Sequence, residues 1–341
     1  MAPRPDDQHG LVWRSVRRDD VEELSQLLTA IEHLDQPSER HSIDELYEQL
    51  DEADCDAEAD TVIGRDAGGT LVAYGWNHPL YSDVDPRRVH LTGGVHPGWR
   101  RQGIGHALFA WQLDRARAWH AETYREGLGP LQVICAVDTK LADVRALYEQ
   151  AGLEPVRWFA DMTLRFEGAV PEFPPPAGIR LVPLSRKHFE AVRQAHNEAF
   201  ADHWGSQPID PTRWAEQLAR SASRVSWSWV ALVEQTSEVV GYATNAAYEQ
   251  DWGSQGFSEG WTDRLGVRPG WRGRGIAKAL LGASMRSFAE AGLDAAGLGV
   301  DTDSPTGAFG LYESMGYRAT DTNVMYAVRH RDAFSGDEQK D

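Results

Sequence analysis

One phrase occurs twice in this chain of 341 residues. Gly94–Trp111 reads GVHPGWRRQGIGHALFAW, and Gly266–Met285 reads GVRPGWRGRGIAKALLGASM. Each passes from a valine through proline, glycine and tryptophan into an arginine-rich turn with alternating small residues. Each then enters an apolar run of helix-forming composition. Val95 and Val267 lie about 170 residues apart, a domain's length and far beyond the ~20–50-residue period of a solenoid. A junction repeated at that distance predicts a duplicated domain.

The rest of the chain repeats in the same order. LVWRSVRRDDVEELSQLLTAIEHL and IRLVPLSRKHFEAVRQAHNEAF each predict a short strand and then an amphipathic helix. TVIGRDAGGTLVAYGW and WVALVEQTSEVVGYATNAAY each predict two apolar strands about a turn. After the repeated phrase, LQVICAVD and AGLGVD are strands ending in Asp, each followed by a helix with Leu-Tyr-Glu. MTLRF and VMYAVR are the closing strands of the two halves. Strands mixed with helices in this order predict an α/β or α+β class. The proline-rich FEGAVPEFPPPAG between the halves cannot form a helix or interior strand and reads as a semi-rigid linker. The expected division is an N-terminal domain over 1–166, a linker over 167–177, a C-terminal domain over 178–331 and a flexible tail over 332–341.

Composition narrows the function. The net charge is −18, from 34 basic and 52 acidic residues, which argues against broad nucleic-acid binding, since that relies on Lys and Arg neutralising phosphates. The same charge suits a cationic partner such as an amine, or serves solubility alone. No run approaches the roughly 20 apolar residues of a membrane span, and the first residues carry no export signal. Two cysteines, Cys55 and Cys135, support neither a disulfide framework nor a zinc site, so a reducing cytoplasm is the expected compartment and no metal is expected. The sequence carries no signal for oligomeric state.

In the repeated phrase, Gly273 and Gly275 let the backbone adopt conformations closed to bulkier residues and let a ligand approach. The first N–H groups of the following helix have no intrahelical acceptor, and the helix dipole adds partial positive charge. Such a turn cradles phosphate or pyrophosphate, and Arg272 and Arg274 can add charge-assisted bonds. The plain alternative is a tight turn that merely starts a helix. Neither the P-loop nor the dinucleotide fingerprint fits.

Arg-x-x-Gly-x-Gly/Ala after a strand ending in valine resembles motif A of the GCN5-related N-acetyltransferases (GNAT). Arg100, Gly103 and Gly105 match it in the first half, and Arg272, Gly275 and Ala277 in the second. Leu147, Tyr148, Glu149 and Gly152, and again Leu311, Tyr312, Glu313 and Gly316, are similar to motif B. The resemblance implies two tandem domains, each with a mixed, mostly antiparallel sheet flanked by helices. It also implies an acetyl-CoA-dependent transferase acting on a primary amine of a small molecule. The implied cofactor contacts are Val95, Arg100, Arg101, Gln102, Gly103, Ile104 and Gly105 in one half. In the other they are Leu265, Val267, Arg272, Gly273, Arg274, Gly275, Ile276 and Ala277, with Ser304 where the family pattern has Asn. The strands ending at Val95 and Val267 would splay from their neighbours.

Tyr312 and Tyr148 hold the family's general-acid position. A tyrosine of pKa about 10 can donate to a departing thiolate of pKa about 8.5; a core aromatic on an amphipathic helix is the alternative for each. VDTDSPTGAFGLYE keeps the motif B lead-in, whereas VDTKLADVRALYE carries Lys140 in place of Pro-x-Gly-Ala. The first domain therefore reads as a degenerate copy and the second as catalytic. Counting by two from Val267 along GWTDRLGV puts Leu265, Asp263 and Trp261 on one face. Many members of the family carry a base glutamate on this strand, so the resemblance implies Asp263 as the candidate base, through water, with Glu259 in reserve; the alternative is that Asp263 only holds Arg264 or a backbone amide.

The tandem arrangement, with HNEAFADHWG early in the second half, resembles the mycothiol synthase family, which acetylates the cysteinyl amine of a glucosaminyl-inositol precursor. His196, Asn197, Glu198, Asp202, His203 and Trp204 are then candidate acceptor contacts, against a surface helix with a polar turn. Two other readings stay open: a non-catalytic acetyl-CoA-binding or regulatory protein, and a protein or peptide acetyltransferase.

Overall fold

The computed structural model describes residues 4–5, 10–52, 55–80, 86–304 and 307–330. The expected tail over 332–341 lies outside them. The chain forms two compact units, Met1–Arg157 together with Asn323–Asp341, and Trp158–Thr322. Each is a mixed α/β unit with a mostly antiparallel sheet flanked by helices.

Unit 1 contains β1 (Val12–Arg14), α1 (Val21–Asp35), α2 (Ile43–Asp51), α3 (Ala57–Asp60), β2 (Thr61–Arg65), β3 (Leu71–Pro79) and β4 (Arg87–Val95). It continues with α4 (Ile104–Thr123), β5 (Leu131–Asp138) and α5 (Ala142–Gln150). Local chemistry starts these helices where they start. Ser42 and Glu45 form a reciprocal capping box at α2, with Glu45 N to Ser42 Oγ at 3.1 Å and Ser42 N to Glu45 Oε2 at 2.9 Å. The sheet runs β1-β2-β3-β4-β5, and β4 and β5 are its parallel pair.

The strand that follows β5 in this sheet comes from the far end of the chain. In β12 (Arg318–His330), the residues Asn323–His330 pair antiparallel with β5. Val324 and Tyr326 join a buried cluster with Val89, Leu91, Phe109, Trp119 and Val133.

Unit 2 opens inside β6 (Glu154–Arg165) and continues with β7 (Ile179–Pro183), α6 (Phe189–Ala199), α7 (Pro211–Ala219), β8 (Trp229–Val233) and β9 (Val239–Ala246). Then come α8 (Glu249–Gln255), β10 (Glu259–Val267), α9 (Ile276–Glu290), β11 (Ala295–Asp301) and α10 (Ala308–Met315). Its sheet order is β6-β11-β10-β9-β8-β7, again with one parallel pair, β10 and β11. Residues Phe159–Arg165 of β6 pair with β11. Ala160, Met162 and Leu164 enter the core beside Leu281, Met285, Phe288 and Leu298.

The two closing strands are thus exchanged relative to sequence order. MTLRF follows the first repeat in the chain yet completes the second unit, and VMYAVR completes the first. The proline-rich segment does not coincide with the boundary between compact units. It carries no helix or strand, but it is not a bare spacer: Phe166, Val170 and Phe173 pack against the core of unit 2. Among the described residues, no helix is long and apolar enough to cross a membrane.

Candidate active site

In unit 2 the parallel strands β10 and β11 pair only from Glu259–Ala295 to Thr262–Leu298. β10 nevertheless continues to Val267 and β11 to Asp301, so the strands part. In unit 1 the corresponding pairing runs from Arg87–Leu131 to His90–Ile134, while β4 continues to Val95 and β5 to Asp138. The splay implied at Val95 and Val267 is present in both sheets.

Past each splay the chain turns into a helix. Pro269–Trp271 forms a single helical turn, and Gly273 and Gly275 then take φ of 74° and 85°. Gly275 sits immediately before α9. Nothing lies within 4 Å of where a β-carbon would stand on Gly270, Gly273 or Gly275, so the outside of the turn is open. In unit 1, Arg101 and Gly103 hold the same left-handed conformation, at 62° and 87°. Gln102 is exposed, and Ile104 is buried at the start of α4. A β-carbon on Gly105 would come within 4.0 Å of Leu147 and Val95.

The motif arginines brace these turns. Arg272 donates from Nε to the Val267 carbonyl at 3.3 Å and from Nη2 to the Ala199 carbonyl at 2.7 Å. Arg100 donates from Nε to the Val95 carbonyl at 3.1 Å and forms a two-pronged pair with Asp35 at 2.7 and 2.8 Å. Arg274 folds back on the Gly270 carbonyl at 3.1 Å, its guanidinium 4.7 Å from the centre of the Trp271 ring. In this structure both side chains anticipated as anion contacts in unit 2 are held by their own backbone. The N–H groups at the head of α9 are the donors that the turn presents. Leu265 and Val267 pack on the α9 side, against a cluster containing Ile276 and Leu280.

The face count along β10 requires correction. The register with β9 shifts between Thr262 and Arg264, leaving Asp263 as an extra residue. A bulge of this kind reverses the alternation. Leu265 stands opposite Ala243, Thr262 opposite Asn245, Arg264 opposite Thr244 and Trp261 opposite Ala246. Thr262, not Asp263 or Trp261, therefore shares the Val267 face. Asp263 is exposed, and its Oδ1 accepts from the Tyr248 hydroxyl at 2.9 Å.

Glu259 lies on the Trp261 face, at the paired end of β10. It is 7% exposed, and Thr163 Oγ1 donates to its Oε1 at 2.9 Å. Burial pushes its carboxyl up to about 7, partly opposed by the Thr163 hydrogen bond and the charge of Arg165. Tyr312 lies on the opposite side of the sheet, in the cluster with Leu281, Phe288 and Leu298. Its ring meets Tyr317 edge-on at 6.1 Å, and burial pushes its hydroxyl up to about 12.

In unit 1, Tyr148 is half-buried between Phe109 and Tyr326, and burial raises it well above the usual tyrosine range. The two sites otherwise differ. His90 pairs with Ile134 where Trp261 pairs with Gly297, so Arg88 holds the step that Glu259 holds in unit 2. Leu153 donates its N–H to the Tyr148 carbonyl where Tyr317 donates to that of Tyr312.

Most of the anticipated acceptor residues have partners inside the fold. His196 is buried, with Nδ1 2.5 Å from the Tyr242 hydroxyl, and burial first and Arg264 second push it down to about 4. Asn197 clamps both backbone groups of Ile209, and Glu198 pairs with Arg268. Asp202, His203 and Trp204 form the turn after α6; His203 Nδ1 lies 3.1 Å from the Trp204 carbonyl oxygen. Ser304 sits in the turn after β11, its carbonyl accepting from Gly307 N at 3.1 Å, and Pro305–Thr306 beside it lie outside the described residues. Thr163 and Tyr317 were missed in the sequence. The alternation of MTLRF shows which β6 residues share a face, but not which strand they face. Among the described residues, no group of three His, Cys, Asp or Glu side chains could hold a metal.

Parted parallel strands leading into a left-handed turn and a helix recur in both units. The Acetyltransferase (GNAT) family model matches residues 26–152 and 189–317, so the chain belongs to the GNAT acetyltransferases and carries their domain in tandem. It is 27% identical over 258 residues to a mycothiol acetyltransferase of Renibacterium salmoninarum, covering 73% of this chain and 70% of that protein. A mycothiol acetyltransferase of Thermobispora bispora is 29% identical over 267 residues, covering 76% and 80%. A GCN5-related N-acetyltransferase from Sphaerobacter thermophilus superposes with a TM-score of 0.75 at 23% identity, covering 97% and 98%. A tandem GNAT protein from the clavulanic acid biosynthesis pathway gives 0.68 at 16%, covering 94% and 100%.

Proposed function

We propose that unit 2 transfers the acetyl group of acetyl-CoA to a primary amine of a small molecule, with Glu259 as proton acceptor and Tyr312 as proton donor. The residues suited to holding the pyrophosphate are Gly273, Gly275, Ile276 and Ala277, through backbone N–H groups at an open, left-handed turn. When bound, acetyl-CoA supplies the thioester that the amine attacks and a thiolate leaving group. Glu259 takes the proton that the amine must lose, from the face of the sheet opposite Tyr312, the gap between the parted strands β10 and β11 joining the two sides. A free primary amine of pKa about 10 is neutral in only about one molecule in a thousand at pH 7, so a carboxylate that titrates near neutrality is matched to the task. Tyr312, kept as a phenol by burial, gives its proton to the departing sulfur.

The observation that carries this reading is the placement of Glu259. It is a buried carboxylate raised to about 7, on the strand that parts from β11. Unit 1 has the turn and the splay without that carboxylate, which supports acetyl-CoA binding there without turnover. The relatives are mycothiol acetyltransferases, and with the family resemblance this makes the cysteinyl amine of a glucosaminyl-inositol precursor the first acceptor to try. The test is release of free CoA, with mass detection of the acetylated amine, from the full chain and its Glu259→Gln and Tyr312→Phe variants. Turnover unchanged in both variants would overturn the residue roles, and no thioester consumption with any amine would overturn the activity.

A further inference from the structure

The carboxylate of Glu259 does not stay over its own strand. It reaches across β11 to Thr163 on β6. Between them lies Gly297, which pairs with Thr163 on one side and Trp261 on the other. A β-carbon on residue 297 would fall 2.5 Å from Glu259 Cδ, 2.7 Å from its Oε1 and 2.4 Å from Trp261 Cε3. Such approaches are closer than side chains tolerate, so the lane between the two strands exists because residue 297 is glycine.

We propose that Thr163 and Gly297 are positioning residues for Glu259, holding it across β11 with one oxygen committed to a hydroxyl donor and the other left to take the substrate's proton. This rests on the reading of Glu259 as the proton acceptor. The choice of donor has a chemical consequence. A guanidinium in Thr163's place would favour the carboxylate so strongly that it would bind protons poorly at neutral pH. A neutral hydroxyl orients the group with a smaller effect on its basicity.

The charged and titratable groups around Glu259 fit that balance. Arg165, two residues along β6, turns its guanidinium onto the Phe257 ring at 4.0 Å. The Tyr317 hydroxyl is buried without a hydrogen-bond partner on the α10 side. Asp161 Oδ1 stands 3.7 Å from the point where a β-carbon on Gly299 would be, one step further along the strand. Unit 1 has no such lane: Ile134 stands where Gly297 does, and Arg88 where Glu259 does. Thr163 precedes the proline-rich segment, so the device depends on the strand exchange.

The test uses the full chain labelled with carboxyl-13C glutamate, the Glu259 signal being the one absent from Glu259→Gln. In Thr163→Val the titration midpoint of that signal should rise by about one pH unit, as loss of a hydrogen bond to a charged group requires. Thr163→Ser should restore it. With acetyl-CoA and glucosamine, spermidine and cysteine methyl ester as amine probes, Thr163→Val should lower kcat several-fold at pH 6.5 and approach the parent by pH 9, with KM for acetyl-CoA unchanged. A Thr163→Val midpoint equal to the parent's overturns the proposal. If instead the midpoint moves while Glu259→Gln turns over normally, the assignment of the proton acceptor falls. Gly297→Ala supplies a second variant, expected to displace the same signal.

Discussion

Arg101 and Gly273 occupy the same step of the two turns, and both hold φ positive, at 62° and 74°. A residue with a β-carbon pays for this conformation by about 1–2 kcal/mol, against roughly 0.5–1 kcal/mol of extra chain entropy lost by glycine. The ion pair of Arg101 with Asp143 joins side chains 82% and 83% exposed, so its loss matters little. Arg101→Gly should therefore stabilise unit 1 by about 0.5 kcal/mol, read as a higher thermal midpoint. A lower midpoint would show that Arg101 makes a contact worth more than its strain.

The turn in unit 2 predicts where acetyl-CoA binds. Gly275→Glu puts an anion at the head of α9, where the dipole and free N–H groups favour a phosphate. With Gly103→Glu disabling the other turn, calorimetric binding should vanish, while Gly103→Glu alone should leave one site. Undiminished affinity in the double variant would place the cofactor elsewhere.

Activity should rise with pH through neutrality. Burial raises Glu259 to about 7, and only its carboxylate accepts a proton. At pH 6 about one molecule in ten is ionised, and the limb should level off above about pH 8. Glu259→Gln should remove the level-off near pH 8, leaving a rate that climbs with the neutral fraction of the amine, and should lower kcat near neutrality by about 10²–10⁴-fold. Asp263→Asn, at the exposed bulge, should leave kcat near the parent value. The reverse outcome would return the role to Asp263.

The two motif tyrosines should behave differently. Tyr312→Phe should reduce kcat by about 10²–10⁴-fold with little change in acetyl-CoA affinity, since a proton donor to sulfur acts in the transition state. Tyr148→Phe should change kcat little, because Arg88 and Leu153 stand where unit 2 has Glu259 and Tyr317. Equal losses from both variants would mean two working sites.

Stopping the chain after Thr322 should unfold unit 1 rather than unit 2. The cut removes the strand paired with β5, including Val324 and Tyr326 from the core and the Tyr326 bond to Glu149 at 2.6 Å. Two such side chains contribute about 3–6 kcal/mol, a large share of a domain's roughly 5–15 kcal/mol. Hydrogen exchange should show β5 amides unprotected, with β10 and β11 still protected. Protection retained in β5 would mean that another segment covers its edge.

The duplication, the order of elements and the turns at Gly103 and Gly275 were legible because each is written in contiguous residues: hydrophobic period, glycine position, helix start. The bulge at Asp263 was not, because GWTDRLGV alternates plausibly with or without an extra residue, and only pairing with β9 decides. The buried partners of His196 and Asn197 escaped for a similar reason, since a polar helix face reads alike whether it meets solvent, Tyr242 or Ile209. The strand exchange could not be read locally. MTLRF and VMYAVR are similar apolar strands, and each has the composition to close either sheet. Thr163 follows from that exchange, so its place beside Glu259 was hidden with it.

Because β12 completes unit 1, the ribosome makes the final piece of the first-built unit last. When β5 has emerged, its outer edge has no strand to pair with until the remaining residues of the second repeat have been made. At ordinary translation rates that interval is on the order of ten seconds or longer. During it, a row of unpaired N–H and C=O groups is a template for any passing strand. The first strand of suitable composition to emerge is MTLRF, the one that belongs to the other unit. Vectorial synthesis therefore offers this chain a wrong closure before the right one, and a nascent chain stalled between the repeats should be caught in it.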